Sequence, residues 1–178
     1  MAKQKILIYP HPILIEPNQK VTDFGPNFQK LVADLILTKE AHEGLGLAAP
    51  QIGINLRVAV IGFEPKNKED EKLRVPAVVL VNPKIISESA EQKEWQEGCL
   101  SLPGLELPIK RAAKIKVLAF NRRGKKIKTL ATDFFARVVL HEIDHLNGVL
   151  IIDRAVKTKE NQRKIKEYIS KNESKDPK

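Results

Sequence analysis

Apolar residues along this chain recur with two spacings. From Lys114 to Phe120 they alternate with polar ones, which is the pattern of a half-buried strand. Asn121-Arg122-Arg123-Gly124 supplies turn residues, and Lys126 to Leu130 returns, so a hairpin is expected. Arg57–Gly62 and Ala77–Val81 are apolar runs of strand length; Ile6–Ile8 and Val149–Asp153 read as further short strands. From about Pro26 to His42, Phe28, Leu31, Val32, Leu35 and Ile36 fall at helical spacing and predict an amphipathic helix. From Phe134 to Leu146 the apolar residues lie on nearly every side, which marks a buried helix. Thr132 and Asp133 offer it an N-cap, and Asn147-Gly148 a stop. Thr158 to Ser170 reads as a surface helix anchored by Ile165 and Ile169, with a composition beyond Lys171 that suggests disorder. Strands joined by short turns, without helices alternating between them, predict an α+β fold. Its antiparallel sheets are expected to pack around the buried central helix, with a C-terminal helix on the surface.

Composition narrows the class. A chain of 178 residues that is 42% hydrophobic fits one domain, 1–178, with a single core. The one cysteine, Cys99, excludes an intrachain disulfide and fits a reducing compartment. No apolar stretch approaches the ~18 residues of a membrane span, and the short apolar run at the start ends at Pro10 without a cleavage site. A cytoplasmic location, away from membranes, is expected. The charge of +9 and pI of about 9.6 fit either a ribosomal or nucleic-acid neighbour or an ordinary lysine-rich surface. The segment from about 155 to 178 holds eight basic and four acidic residues.

The buried helix carries His141-Glu142-Ile143-Asp144-His145. Residues four apart share a helix face, so both imidazoles can reach one metal ion, with Glu142 beside them to move a proton. The plain alternative is a core helix whose histidines are only hydrogen-bonded. Polar groups in such a helix each need a partner, and a metal meets that need for the histidines. A catalytic site of this type needs about three protein ligands and one open position. No histidine follows His145; Glu160 is a conceivable third ligand, and so is Cys99, which could equally be a small buried hydrophobe. His11 between two prolines reads as a loop residue, and His42 as a helix-end residue with no catalytic part. The stretch from Gly44 to Gly53 is neither a P-loop nor a dinucleotide fingerprint. It reads as a tight turn or as a place of close backbone approach, with Gln51 as a lone side-chain donor.

Taken together, Gly44-Leu45-Gly46-Leu47-Ala48-Ala49-Pro50-Gln51, Glu97-Gly98-Cys99-Leu100-Ser101 and His141-Glu142-Ile143-Asp144-His145-Leu146-Asn147-Gly148 resemble the three signature motifs of bacterial-type peptide deformylases, in the family's order. The resemblance runs roughly to Asp153. It implies a hydrolase that removes the N-terminal formyl group from formyl-methionyl nascent chains and releases formate. It implies one divalent ion held by Cys99, His141, His145 and a water, with Fe(II) expected and Zn, Ni or Co also accepted. It further implies Glu142 as general acid/base, the side chain of Gln51 and the backbone N–H of Leu100 as oxyanion donors, Gly46 lining the substrate cleft, and Val138 helping to form the methionine pocket. The basic C-terminal helix is similar in position to the one bacterial members use to dock on the ribosome. Three positions depart from the pattern: Leu140 where glutamine is usual, Glu106 where many bacterial members have arginine, and Asp133 where glycine is common. A general metallopeptidase using Glu160 and a catalytically silent, ribosome-associated module are the competing readings; sequence-specific nucleic-acid binding is not expected.

Overall fold

Alternation, turn chemistry and two differently apolar helices organise the described residues into seven strands and four α-helices. These are α1 (Pro26–Ala41), β1 (Gly46–Ala48), β2 (Val58–Phe63), β3 (Val75–Glu88), β4 (Gln92–Cys99), β5 (Leu102–Ala112), β6 (Lys114–Phe120), β7 (Lys126–Thr132), α2 (Asp133–Leu146), α3 (Ile151–Arg154) and α4 (Lys159–Glu173). They are seen in a computed structural model that describes residues 2–65 and 71–173. Residues 66–70 of the charged Pro65–Lys72 stretch, and the tail expected to be disordered from 174 onward, lie outside the described residues.

The strands form two antiparallel sheets. One has the order β1-β2-β3-β6-β7; the other pairs β4 with β5. The expected hairpin is β6–β7. Ile115, Val117 and Ala119 are buried, whereas Lys114, Lys116 and Leu118 face out, as a period of two requires. Its turn is held by Asn121, whose Oδ1 accepts from the N–H groups of Arg123 and Lys125. In the five-stranded sheet, Val58, Val60 and Val81 pack with Phe28, Val32 and Leu35 of α1. The other face sends Ile61, Leu80, Ile115, Val117 and Ala131 against Val139 and Ile143 of α2. α2 also touches β5 of the small sheet. There Leu102, Leu105, Leu107 and Ile109 join Leu14, Leu150 and Ile151 in a further apolar cluster. No helix among the described residues is long and apolar enough to cross a membrane.

Several local expectations are corrected. Val149–Asp153 is not a strand: Asp153 Oδ2 accepts from the N–H of Leu150 at 2.8 Å, and that cap turns the apolar run into the single turn α3. A run of four apolar residues cannot by periodicity separate strand from helix. Ile6–Ile8 is extended but joins no sheet; Leu7 donates to the carbonyl of Gln51 and Tyr9 to that of Ser101. Ser87 to Gln96 is polar yet forms the end of β3 and much of β4, because β4 buries mainly one side chain, Glu97. At the start of α2, Thr132 occupies the N-cap position but makes no side-chain cap bond. Asp133, at φ 51°, pairs with Lys93 instead. The stop behaves as expected: Gly148 has φ 71°, and a Cβ there would lie 2.6 Å from the carbonyl oxygen of Ile15.

The two faces of the β6–β7 hairpin yield a test. Ile115 is fully buried and Leu130 is 54% exposed. Ile115→Ala should cost about 2–5 kcal/mol in urea denaturation, from lost transfer energy plus a cavity, whereas Leu130→Ala should stay within about 0.5 kcal/mol. Equal losses would contradict the sidedness.

Candidate metal centre

Three elements meet at the floor of a cleft of about 820 Å³. The end of β4 supplies Cys99; one turn of α2 supplies His141, Glu142 and His145; the short helical turn Ala49–Ile52 after β1 supplies Gln51. Among the described residues one group of histidine, cysteine and acidic side chains has ligand spacing: Cys99, His141 and His145, whose donor atoms lie within 4.8 Å of one another. Cys99 Sγ is 3.3 Å from His145 Nε2, and the two imidazole rings are 5.0 Å apart in an edge-on arrangement. Glu160 is elsewhere, exposed on α4 and paired with Lys164 at 3.0 Å, so it does not join this group. Cys99 is therefore no mere packing hydrophobe: its sulfur accepts from the N–H of Ser101 and faces the Gln51 side-chain amide at 3.9 Å.

The electrostatics favour a cation here. Burial opposes ionisation of the Cys99 thiol, but the neighbouring His145 and His141 imidazoles outweigh it and lower it to about 5. Burial likewise opposes charge on His141, yet Cys99 and Glu97 raise it to about 10. A thiolate beside two imidazoles is a donor set that Fe, Co, Ni and Zn all accept. The carboxylate of Glu142 is buried, and its Oε2 has no hydrogen-bond partner, nor has His145 Nδ1. Burial raises the Glu142 carboxyl above its ordinary value. The residues thus fit a divalent ion with a titratable carboxylate beside it.

Gln51 is fixed by its own turn. Its Oε1 accepts from the N–H of Ala48 at 2.9 Å, and its Nε2 donates to Ser101 Oγ at 3.2 Å, which turns the amide nitrogen towards Cys99. Gly46, in β1, lies so close to Glu142 that any Cβ there would collide with the carboxylate. Gly46, Leu100 and Val138 line the same cleft. His42 caps the C-terminus of α1, as its position at the helix end predicts, and also lines the cleft, and His11 accepts weakly from Ile13 N–H at 3.4 Å.

Of the departures, Leu140 packs in the apolar cluster around α2. Glu106 is exposed on β5 opposite Gly98, beside Cys99 in a shallow hollow that also includes Lys164 of α4.

Sequence reasoning did not find the network behind the ligands. Glu97 accepts two bonds from Arg111, at 2.6 and 2.9 Å, one from Arg137 at 2.5 Å, and meets His141 Nδ1 at 3.0 Å. Arg111 also reaches Asp144 at 2.8 Å, and Arg154 grips the same carboxylate at 2.7 Å. One signal was present: Asp144 is an acid on an apolar helix, and such a group needs a partner. Burial pushes the Glu97 carboxyl up, but His141 and Arg111 more than reverse this and hold it at about 2.

A family model described as polypeptide deformylase matches residues 3–161. A peptide deformylase of Acidothermus cellulolyticus is 44% identical over 156 residues, 86% of this chain and 79% of that protein. The crystal structure of a peptide deformylase from Ehrlichia chaffeensis in complex with actinonin superposes with a TM-score of 0.86 at 31% identity, covering 100% of both chains. That of a peptide deformylase from Thermotoga maritima gives 0.80 at 36% identity, covering 88% of this chain and 100% of the other.

Removing one partner of a buried ion pair strands the other. Glu97→Gln should therefore destabilise the protein by about 3–5 kcal/mol near neutral pH. Because folding lowers this carboxyl from 4.5 to about 2, its ionised form stabilises fully above pH 4.5. That contribution is lost as pH falls towards 2, so the gap between wild type and variant in urea denaturation should close over that range. A gap of constant size would contradict the assignment.

Proposed function

The chain belongs to the polypeptide deformylase family, hydrolases that remove the N-terminal formyl group from nascent polypeptides, and from that premise we propose how its residues divide the reaction. Cys99, His141 and His145 would hold one divalent ion, with Fe(II) the expected resident and Zn, Ni or Co acceptable to the same donors. When bound, that ion supplies Lewis acidity towards the formyl oxygen and towards water. The observation that carries the reading is the convergence of a low-pKa thiol and two imidazoles beside a buried, unpartnered carboxylate.

Glu142 is the general acid/base. Its carboxylate takes a proton from the attacking water and passes it to the departing nitrogen, which must be protonated to leave; the products are formate and a free α-amine. Burial suits this, since raising the carboxyl brings it closer to the working pH. Gln51 Nε2 and the Leu100 backbone N–H donate to the oxygen that becomes negative. Gln51 is already held in place by Ala48 and Ser101, so little reorganisation is needed. Gly46 lets Glu142 lie close against β1 at the wall of the substrate cleft, and Val138, buried one turn before His141, offers apolar surface to the methionine side chain. α2 acts as the central scaffold, since its residues supply four of these eight groups: Val138, His141, Glu142 and His145. Glu106 replaces a basic contact to the substrate, so peptide docking here relies more on the β1 side of the cleft. A metallopeptidase reading loses its third ligand, because Glu160 is committed to Lys164 on an exposed helix.

We read 1–178 as one catalytic unit, cytoplasmic, with the basic segment from about 155 as its attachment to the ribosome. Ile165 and Tyr168 of α4 pack on the apolar cluster beneath, while Lys157, Lys159 and Lys166 stay exposed.

The decisive measurement is formate release from a formyl-Met peptide, with metal analysis on the same sample. Glu142→Gln should retain the metal and lose about 10²–10⁴ in rate. Cys99→Ser should fold but lose bound metal, and Gln51→Ala should lower kcat by about 10²–10³ with metal unchanged. Formate release that survives Glu142→Gln would remove the proposed base.

A further inference from the structure

The five-stranded sheet is covered unevenly. α2 packs along one face, but on the other α1 lies on β1 and β2. Beyond Val79, Val81 and Phe120, which pack with α1, the outer face of β3, β6 and β7 is open among the described residues, and its composition is not that of an ordinary solvated surface. Lys84, Lys114, Lys116, Lys126 and Lys128 are all exposed there. Among the described residues none of the five has an ion-pair partner. Between them stand Leu118, 40% exposed, and Leu130, 54% exposed.

We propose that this face binds the phosphate backbone of RNA without reading its sequence. The register supports a polyanion. Lys114 and Lys116 on β6, and Lys126 and Lys128 on β7, are each two residues apart, which places their stems about 6.8 Å from one another. A backbone carrying one negative charge per nucleotide can therefore meet several of these ammonium groups at once. Five cations on one flat face release counterions when they meet such a backbone, and their aliphatic stems with Leu118 and Leu130 offer apolar contact to the sugars.

Other occupants fit worse. A second copy of the same face would set lysines against lysines. An acidic membrane would have to take up the leucines, but Leu130 lies directly opposite Lys116, and Leu118 opposite Lys128. Burying either leucine would therefore desolvate an ammonium group. The choice of RNA over DNA rests on the reading of the substrate as a nascent polypeptide. The binding itself does not depend on the active site.

The experiment is fluorescence anisotropy of the full chain with labelled poly(U), repeated across a salt series, with no peptide substrate present. Binding should weaken with salt at a slope of about −3, as for roughly four phosphates on a single strand. Lys116→Glu/Lys128→Glu should weaken binding by about tenfold or more and flatten the slope by about 1.4. Lys116→Gln/Lys128→Gln guards against misfolding and should show a smaller loss in the same direction. Both variants should release formate from a formyl-Met peptide at the wild-type rate. Three results would each overturn the proposal: unchanged RNA binding in both variants, a loss seen only with Lys164→Glu/Lys166→Glu in α4, or binding to phosphatidylserine vesicles without binding to poly(U). Loss of formate release with RNA binding intact would count against the active-site reading instead.

Discussion

A single buried carboxylate ties the turn of α2 that carries His141 and His145 to the sheet beneath it. Glu97 on β4 takes donors from β5 (Arg111) and from α2 (Arg137 and His141), so all of its roughly four acceptor positions are engaged. Arg111 continues to Asp144, one residue before His145. The small sheet and the helix therefore meet through charge as well as through apolar contact. A half-satisfied ionic network would cost more than an apolar one. This one is kept intact, and its effect is geometric: with His141 Nδ1 occupied by Glu97, the other ring nitrogen is left for the site.

The same constraint explains why the cleft is built from such different sequence types. Glu97 and Cys99 are two apart on β4, and β4 shifts register at Gly98/Cys99. The shift breaks the regular alternation where the sulfur must turn to the imidazoles. On the other side, β1 offers glycine because Glu142 fills the volume a side chain would need. The His141–His145 turn is thus enclosed by residues chosen for what they leave out as much as for what they donate.

Much of this was legible in the chain. The β6–β7 hairpin showed because one face is buried and the other wet, so the period of two survives in the sequence. The ligand helix showed because i,i+4 spacing is a local property. The place of Cys99 beside His141 and His145 did not follow from its own neighbourhood, since a lone cysteine carries no spacing; it became readable only with the other two motifs beside it. Arg111 and Arg137 stayed hidden because a buried ion pair joins residues far apart in sequence, and an arginine in a strand or helix looks like surface until its partner is placed. The run after α2 misled for a different reason: one capping aspartate decided its conformation, and periodicity does not record caps.

The isolation of Cys99 carries a chemical liability. The His145 and His141 imidazoles beside it hold its thiol well below the ordinary range, against the effect of burial, and it is the chain's sole cysteine. A low-pKa, partly accessible sulfur reacts readily with peroxide to give a sulfenic acid, which in many proteins is rescued when a nearby thiol closes a disulfide. No resolving thiol exists here, so the route back depends on small thiols from the surroundings. Without them oxidation proceeds to sulfinic acid, which is irreversible for most proteins.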